Sequence, residues 1–573
     1  MRVATSRDVH RVLRGTRSTA GGTPTLPKIR RSASSQVWID LTDRMRTNST
    51  IHFLRLVLAV ACVSLVGSVT AKEIHSNGLG GGRWSDASTW RGGAVPGAED
   101  EAVIGARDIV LFDRDDADKP TCKALILDPN SNFAFQGGLG KRTLTVSGPI
   151  EIHGSLKMHA QGASDDMAIQ LCATVAAERV IKLERGGALM VAGRPALAEG
   201  KRNARISITA PTDGKVVPAG ELTAGNRTMI DLQSAQIDHI AVTATGIDNT
   251  GAKPNERCNF TGNLFSGHAR LAVHGCDTPM IARNTFDVRK VPLVRPAGLQ
   301  VGSSPLADIR DNRVLGPYAI GISVSTSECS VTGNTVEDCA QGIVWHAGTA
   351  MLKDNTIRNC KTGLSLRTIT GSAEDTFIDG CELPVSTASA KAQLTNVTIT
   401  NPPATALMEM TASSVSLLNC NVRPEQIKST RDRTLPRNVN NTDPAVEALS
   451  FLVVQLKGDV PRGAKVQLVT TKPAAPLAPG AQDPNVRNSP AALRPDGLTP
   501  LPQTLTPLVV KTWRMNEDGS VVPAPEYTLT VSEPSTEPGA KPHILKTLKI
   551  KPDDTWHRPK PNDLKPTLEV ELP

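Results

Sequence analysis

The chain has 573 residues and a mass of 60.8 kDa, which at roughly 100–200 residues per domain excludes a single small domain. Aromatic residues make up only 3 % while glycine (46) and proline (41) are plentiful, a balance that suits short strands and many turns rather than helical bundles, so the expected class is all-β. The formal charge of +8 is confined to the segment ending at Arg55, where ten Lys/Arg up to Arg46 outnumber three acids and Arg55 adds one more. The chain beyond Ala71 is therefore formally neutral, without the clustered excess cation that a phosphate backbone requires, and no nucleic-acid partner is expected.

In chain order, residues 1–44 are rich in Arg, Ser and Thr without periodicity and are expected to be an over-extended start or a disordered leader. From Met45 to Ala71 a basic stretch, an apolar run from Leu56 to Val69 and the small residues Val69-Thr70-Ala71 follow one another, the order of a cleavable export signal. The run from Leu56 to Val69 falls short of the roughly 20 residues that a bilayer core requires, so no membrane span is expected after cleavage. The mature chain is expected to be secreted, periplasmic or on the cell surface.

Residues 72–222 open with Gly80-Gly-Gly-Arg-Trp84-Ser-Asp-Ala-Ser-Thr-Trp90 and run through Val95-Pro96-Gly97 to Asp100 and Ile104, followed by short alternating segments punctuated by glycine. An N-terminal β-rich domain is expected. Trp84 and Trp90 admit two readings: an aromatic platform for stacking a sugar ring, or core residues covering the first layer of the fold.

From residue 223 to 425 the chain repeats itself. A polar residue, usually Asn, precedes an apolar position in Asn263-Leu-Phe265, Asn284-Thr-Phe286, Asn312-Arg-Val314, Asn334-Thr-Val336, Asn355-Thr-Ile357, Asp375-Thr-Phe377, Asn396-Val-Thr-Ile399 and Asn419-Cys-Asn-Val422. The spacing stays within the short period of a solenoid unit. A unit this short cannot bury its own apolar face and must stack on its neighbours. The alternation has a period of two, with Ile322 and Val324 inward and Ser323 outward, so the stack is a parallel β-helix. The Asn positions are expected at left-handed turns, bonded along a ladder. Cys339, Cys360 and Cys381 recur at one point of successive units and are expected to stack as buried thiols, one disulfide between neighbouring coils being the alternative. Nine cysteines follow Ala71, with no pair at zinc spacing, and no structural metal is expected.

Two family resemblances rest on these residues. The rhythm of Gly333-Asn-Thr-Val-Glu-Asp-Cys-Ala-Gln-Gly-Ile343 and Asp354-Asn-Thr-Ile-Arg-Asn-Cys-Lys-Thr-Gly-Leu364 resembles the right-handed parallel β-helix repeats of extracellular polysaccharide-acting proteins. The tryptophan, glycine and Val-Pro-Gly pattern between Trp84 and Ile104 is similar to the opening of the eight-glycine (G-eight) domain, found in secreted and cell-surface proteins ahead of such repeats. The resemblance implies an extracellular or envelope polysaccharide as partner. It does not imply an activity, because this solenoid carries lyases, hydrolases, esterases and adhesins alike.

Beyond the repeats, from Pro461 to Pro573, prolines become dense. Alternation persists in Leu449–Leu456, Lys465–Val469, Leu508–Trp513, Glu526–Val531, His543–Ile550 and Thr567–Leu572. A β-sandwich-like region over 445–573 is expected, with Lys472–Thr506 as a loop or linker.

The candidate binding face comprises Arg310, Asp311, Arg313, Lys353, Asp354 and Arg358, whose repeat positions are expected to align charges along the solenoid. Asp311 and Asp354 are the residues through which a calcium ion would be held; otherwise no cofactor is expected. The polygalacturonase-type hydrolase motifs are missing from the sequence. The expected function is therefore polysaccharide binding or scaffolding, with a polysaccharide lyase or glycoside hydrolase, and a structural stalk or adhesin, as the alternatives. Intact-mass measurement of exported protein should give Lys72 as the first residue; recovery of chains beginning before Met45 would overturn both the start and the cleavage site.

Overall fold

The computed structural model describes residues 71–162, 164–173, 175–194, 202–208, 220–248, 256–290, 294–326, 328–430, 445–471, 486–488, 505–516, 519–533, 535, 541–552 and 568–572. The leader and the expected Met45–Ala71 signal, apart from Ala71, and most of the Lys472–Thr506 loop lie outside them. Among the described residues no helix is long and apolar enough to cross a membrane.

The chain winds as a parallel β-helix whose coils present three faces. Face 1 starts with Glu73–His75, face 2 with Gly81–Arg83 and face 3 with Thr121–Cys122. Among the described residues, face 3 is a sheet of 12 parallel strands ending at Thr398–Thr400. Faces 1 and 2 share backbone where the 13-residue strands Gln341–Lys353 and Thr362–Glu374 run through the corner between them. Inward positions are apolar and fully covered, among them Ile322, Val324, Val336 and Ile357 at 0 % exposure, as the alternation predicts.

The N-terminal region is β-rich as expected, but the boundary at 222/223 does not mark a domain. It falls inside the strand Gly220–Ala224, which pairs in parallel with Val180–Leu183 before it and Ile240–Thr245 after it. Residues 72–222 thus form the first coils of the same solenoid, and one hydrophobic core runs from Ile74 to Met515.

The asparagine ladder exists and is buried. Asn263 Nδ2 donates to Asn284 Oδ1, Asn284 to Asn312, Asn312 to Asn334 and Asn334 to Asn355, at 2.9, 2.9, 3.0 and 3.2 Å. Each ladder Oδ1 also accepts a backbone N–H from the preceding coil, as Asn312 does from Asn284 at 3.0 Å. Each Nδ2 donates to a backbone carbonyl as well, Asn312 to Ile281 at 2.8 Å. The Asn312 amide therefore makes two bonds as donor and two as acceptor, which satisfies it without water.

Two details differ from the expectation. These five asparagines are not left-handed; the residue before each one is, namely Gly262, Arg283, Asp311, Gly333 and Asp354, with φ of 54–68°. The alignment also slips by one at Asp375. Ile357 pairs with Ile378, so Thr376 occupies the ladder position, while Asp375, Asn396 and Asn419 are left-handed corner residues. The slip arises because Asn and Asp suit either place: short polar side chains tolerate left-handed backbone and also hydrogen-bond in a stack. The corner residues form a second, outer ladder, with Asn396 donating to Asp375 and Asn419 donating to Asn396, both at 2.8 Å.

The cysteine column stacks as free buried thiols, with Cys360 N–H donating to Cys381 Sγ at 3.4 Å. At the C-terminus, Ala445–Lys457 continues the solenoid by pairing in parallel with Ser414–Leu418, and its other edge pairs antiparallel with Leu505–Met515. That edge opens a sandwich against the sheet of Lys465–Thr470, Tyr527–Glu533 and His543–Ile550. Its own core includes Leu452, Leu508, Leu468 and Leu529.

Replacing Asn312 by Ala strands buried groups on the coils at both sides, at about 1–3 kcal/mol for each group left unsatisfied. Thermal unfolding should fall markedly for Asn312→Ala and for Val336→Asp, which buries a carboxylate. It should stay nearly unchanged for Thr335→Ala, whose side chain faces outward.

Candidate functional site

The six charged residues expected on one face are distributed over three places. Arg310 and Lys353 close strands of face 2, Asp311 and Asp354 form left-handed corners, and Arg313 and Arg358 lie on face 3. Arg310 is occupied by Asp308 of its own strand at 3.2 Å. Asp311 and Asp354 are not on adjacent coils, because Gly333 takes the corner of the coil between them. Two coil spacings put the carboxylates about 9–10 Å apart along the stack, too far to share a calcium ion. Trp84 and Trp90 are core residues, at 1 % and 2 % exposure. Their rings meet edge to face at 5.0 Å, and Trp90 Nε1 donates to the Trp84 carbonyl at 2.9 Å. Neither is available to a sugar, since the first coils use both to fill the end of the apolar interior beside Phe112 and Phe133.

Face 3 brings a different set together. Its register aligns Asp287, Leu315, Glu337, Arg358, Asp379 and Thr400 in one column. Arg313 and Arg358 converge on Glu337 at 3.8 and 3.3 Å, and the Arg358 guanidinium also lies 5.9 Å over the Phe377 ring. Arg289 grips Asp287 at 2.7 Å, and its hydrogen bonds hold that carboxyl below the usual carboxylate range. Asp379 is lowered as well, by hydrogen bonds from the Thr400 hydroxyl and the Asn401 amide. With Arg289 and Arg313 beside the column, three guanidinium groups face three carboxylates, and the cluster is rich in planar hydrogen-bonding groups without net charge.

Where face 3 ends, the chain builds a cavity of about 640 Å³ between the last coil and the C-terminal sheet. Asn421 fixes one wall, accepting from Ile399 N–H at 2.8 Å and donating to the Ile399 carbonyl at 2.6 Å. The short turn Pro424–Gln426 follows, closed by Arg423 N–H donating to Gln426 Oε1 at 2.9 Å. The opposite wall carries Ser450, Thr512 and Trp513, with Trp513 placed across from Ala448 by the antiparallel register. Trp513 is half-buried. Trp84, Trp90 and Trp345, by contrast, are at most 2 % exposed. No sequence pattern signals this cavity, because its walls come from three segments, around 421–426, 448–450 and 512–513, that only the sandwich brings together.

Residues 223–383 match the family described as the right-handed β-helix region. Among solved structures, the chain is similar to the tailspike protein of E. coli bacteriophage HK620 in complex with pentasaccharide. That likeness has 9 % identity and a TM-score of 0.24, over 75 % of this chain and 86 % of that one. A mutant of the same tailspike is similar at 10 % identity and a TM-score of 0.22, over 75 % and 86 % of the two chains. No curated protein matches the chain. The fold is a right-handed parallel β-helix; likenesses of this size carry nothing about its ligand.

The Arg313–Glu337–Arg358 cluster is partly exposed, and such pairs contribute about 0–1 kcal/mol. Glu337→Ala should therefore leave thermal stability within about 1 kcal/mol. It should also lengthen retention on a cation exchanger at low salt, because two guanidinium groups lose their common partner.

Proposed function

We propose that the protein binds or scaffolds a linear polysaccharide outside the cell or in its envelope, with the chain lying along face 3 and one end in the cavity beside Trp513. The observation that carries this reading is the half-buried Trp513 indole in the wall of an open cavity that also offers Asn421, Arg423, Glu425, Ser450 and Thr512. An indole face suits the apolar face of a sugar ring, and planar side chains placed around it suit pairs of hydroxyl groups. A volume of about 640 Å³ is within the common range of small-ligand sites, roughly 300–1,000 Å³, and suits a short oligosaccharide end.

Charge selects the kind of glycan. With guanidinium and carboxylate groups in balance on face 3, a strong polyanion gains little long-range attraction, so neutral or weakly charged chains are favoured over heavily acidic ones. The N-terminal likeness to the G-eight domain and the export signal support the same compartment. A lyase or hydrolase is the alternative; a glycosidase of the usual kind needs two carboxyl groups about 5–9.5 Å apart across the bond to be cut.

A polysaccharide array with product analysis tests the reading. Retention without new reducing or unsaturated ends is the expected result, and Trp513→Ala should weaken it about 5–10-fold, or ~1–1.4 kcal/mol. Release of sugar products would establish the enzyme, and absence of retention on every glycan would leave a stalk or adhesin.

A further inference from the structure

A second cluster lies far from the cavity in sequence, at the corner where the chain passes from face 3 back to face 1. His239 occupies that corner between Gln236–Asp238 and Ile240–Thr245. His268 occupies it one coil later, between Leu264–Ser266 and Arg270–His274. The two imidazoles face each other, with Nδ1 to Nδ1 at 3.4 Å, ring centroids 5.4 Å apart and planes tilted by 33°. The backbone is shaped around them. His239 has a left-handed φ of 58°, and Gly267, at φ 66°, passes so close that a Cβ there would lie 2.5 Å from His239 Nε2.

The other nitrogen of His239 faces a carboxylate, with Nε2 3.9 Å from Asp238 Oδ1. Asp238 is fixed in turn by the Ser266 hydroxyl, which donates to it at 2.9 Å. A carboxylate beside the far ring nitrogen orients histidine ligands in metal sites, there at hydrogen-bond distance; at 3.9 Å Asp238 acts on His239 through its charge rather than a direct hydrogen bond. Distance points the same way. With bonds of about 2.0–2.1 Å and a tetrahedral angle, two nitrogens on one zinc ion are about 3.3–3.4 Å apart. As a direct hydrogen bond between two imidazoles, 3.4 Å is long.

We propose that His239 and His268 chelate one divalent transition-metal ion of the zinc and copper class through their Nδ1 atoms, with Asp238 orienting His239 from behind. Imidazole ligands select such ions over calcium or magnesium, which take oxygen donors. The site is partly open to solvent, the Asp238 and His239 side chains being 30 % and 19 % exposed, so that water would complete the coordination. A bound ion adds a second tie between the coil of Gln236–Thr245 and the coil of Leu264–His274 at a corner where the His239 N–H already donates to the Ser266 carbonyl at 3.0 Å. Because it binds the folded chain, it raises thermal stability.

The test is zinc and copper titration of the full, chelator-treated chain by calorimetry, with thermal unfolding read in parallel. One ion per chain should bind and raise the unfolding temperature, copper more tightly than zinc. His239→Gln and His268→Gln should each weaken zinc binding at least tenfold and abolish the temperature shift. Asp238→Asn should weaken it about tenfold, as loss of an outer carboxylate does. His346→Gln, at an exposed histidine of face 1, should change nothing. Each variant is compared with its own metal-free unfolding temperature, so altered folding is read separately from lost binding. Equal zinc affinity in wild type, His239→Gln and His268→Gln, or no shift of the wild-type unfolding temperature by either ion, would overturn the proposal.

Discussion

The parallel ladder between successive coils is the constraint on which this molecule depends. No coil buries its apolar side chains alone, so each is stable only between neighbours. The interior asparagine column makes that dependence specific. The Asn312 amide donates to the amide of the next coil and to a carbonyl of the preceding one, so a one-residue shift would break donors and acceptors together. Register enforced in the interior is transmitted outward, because alternate residues of the same strands form the surface. The alignment of Glu337 with Arg358 and Asp379 follows from the alignment of Val336 with Ile357 and Ile378.

Much of this was legible in the sequence. A period-two apolar pattern that recurs at the short interval of a solenoid unit leaves few architectures open, and Ile322, Val324, Val336 and Ile357 are inward as their spacing implies. The sandwich strands were legible for the same reason; His543–Ile550 has the expected bounds. The first coils were harder to place. They stack in the same way but lack the asparagine column, so their continuity with the later coils shows only in the pairing of Gly220–Ala224 with both neighbours.

The surface was less legible, because a face is decided by corner geometry that the repeat does not encode. Asp311 and Asp354 each precede a ladder asparagine, but Asn334 lies between Asn312 and Asn355, so the repeat itself sets them two coils apart with Gly333 at the corner between. Trp84 and Trp90 cannot be assigned from sequence, since an aromatic pair that fills a core and one that stacks a ligand have the same composition. His239 and His268 are well separated in the chain, at a distance set by the length of one irregular coil. Only the stacking of Asp238 on Ser266 shows that the rings meet.

The pairing of charges on face 3 also bears on how such a surface binds. An exposed arginine alone loses considerable side-chain entropy when it grips a ligand, and this offsets much of the contact. Here Glu337 already holds Arg313 and Arg358, Asp287 holds Arg289, and Thr400 and Asn401 hold Asp379. Part of the ordering cost is therefore met in the free protein. The same pairing weakens each group's attraction for any single charge, so no one contact dominates. Affinity in that arrangement grows with the number of coils a ligand spans, since each further unit binds intramolecularly once the first is in place. On the reading proposed for face 3, a long hydroxyl-rich chain would gain from every coil it spans, whereas a compact ion would gain from one.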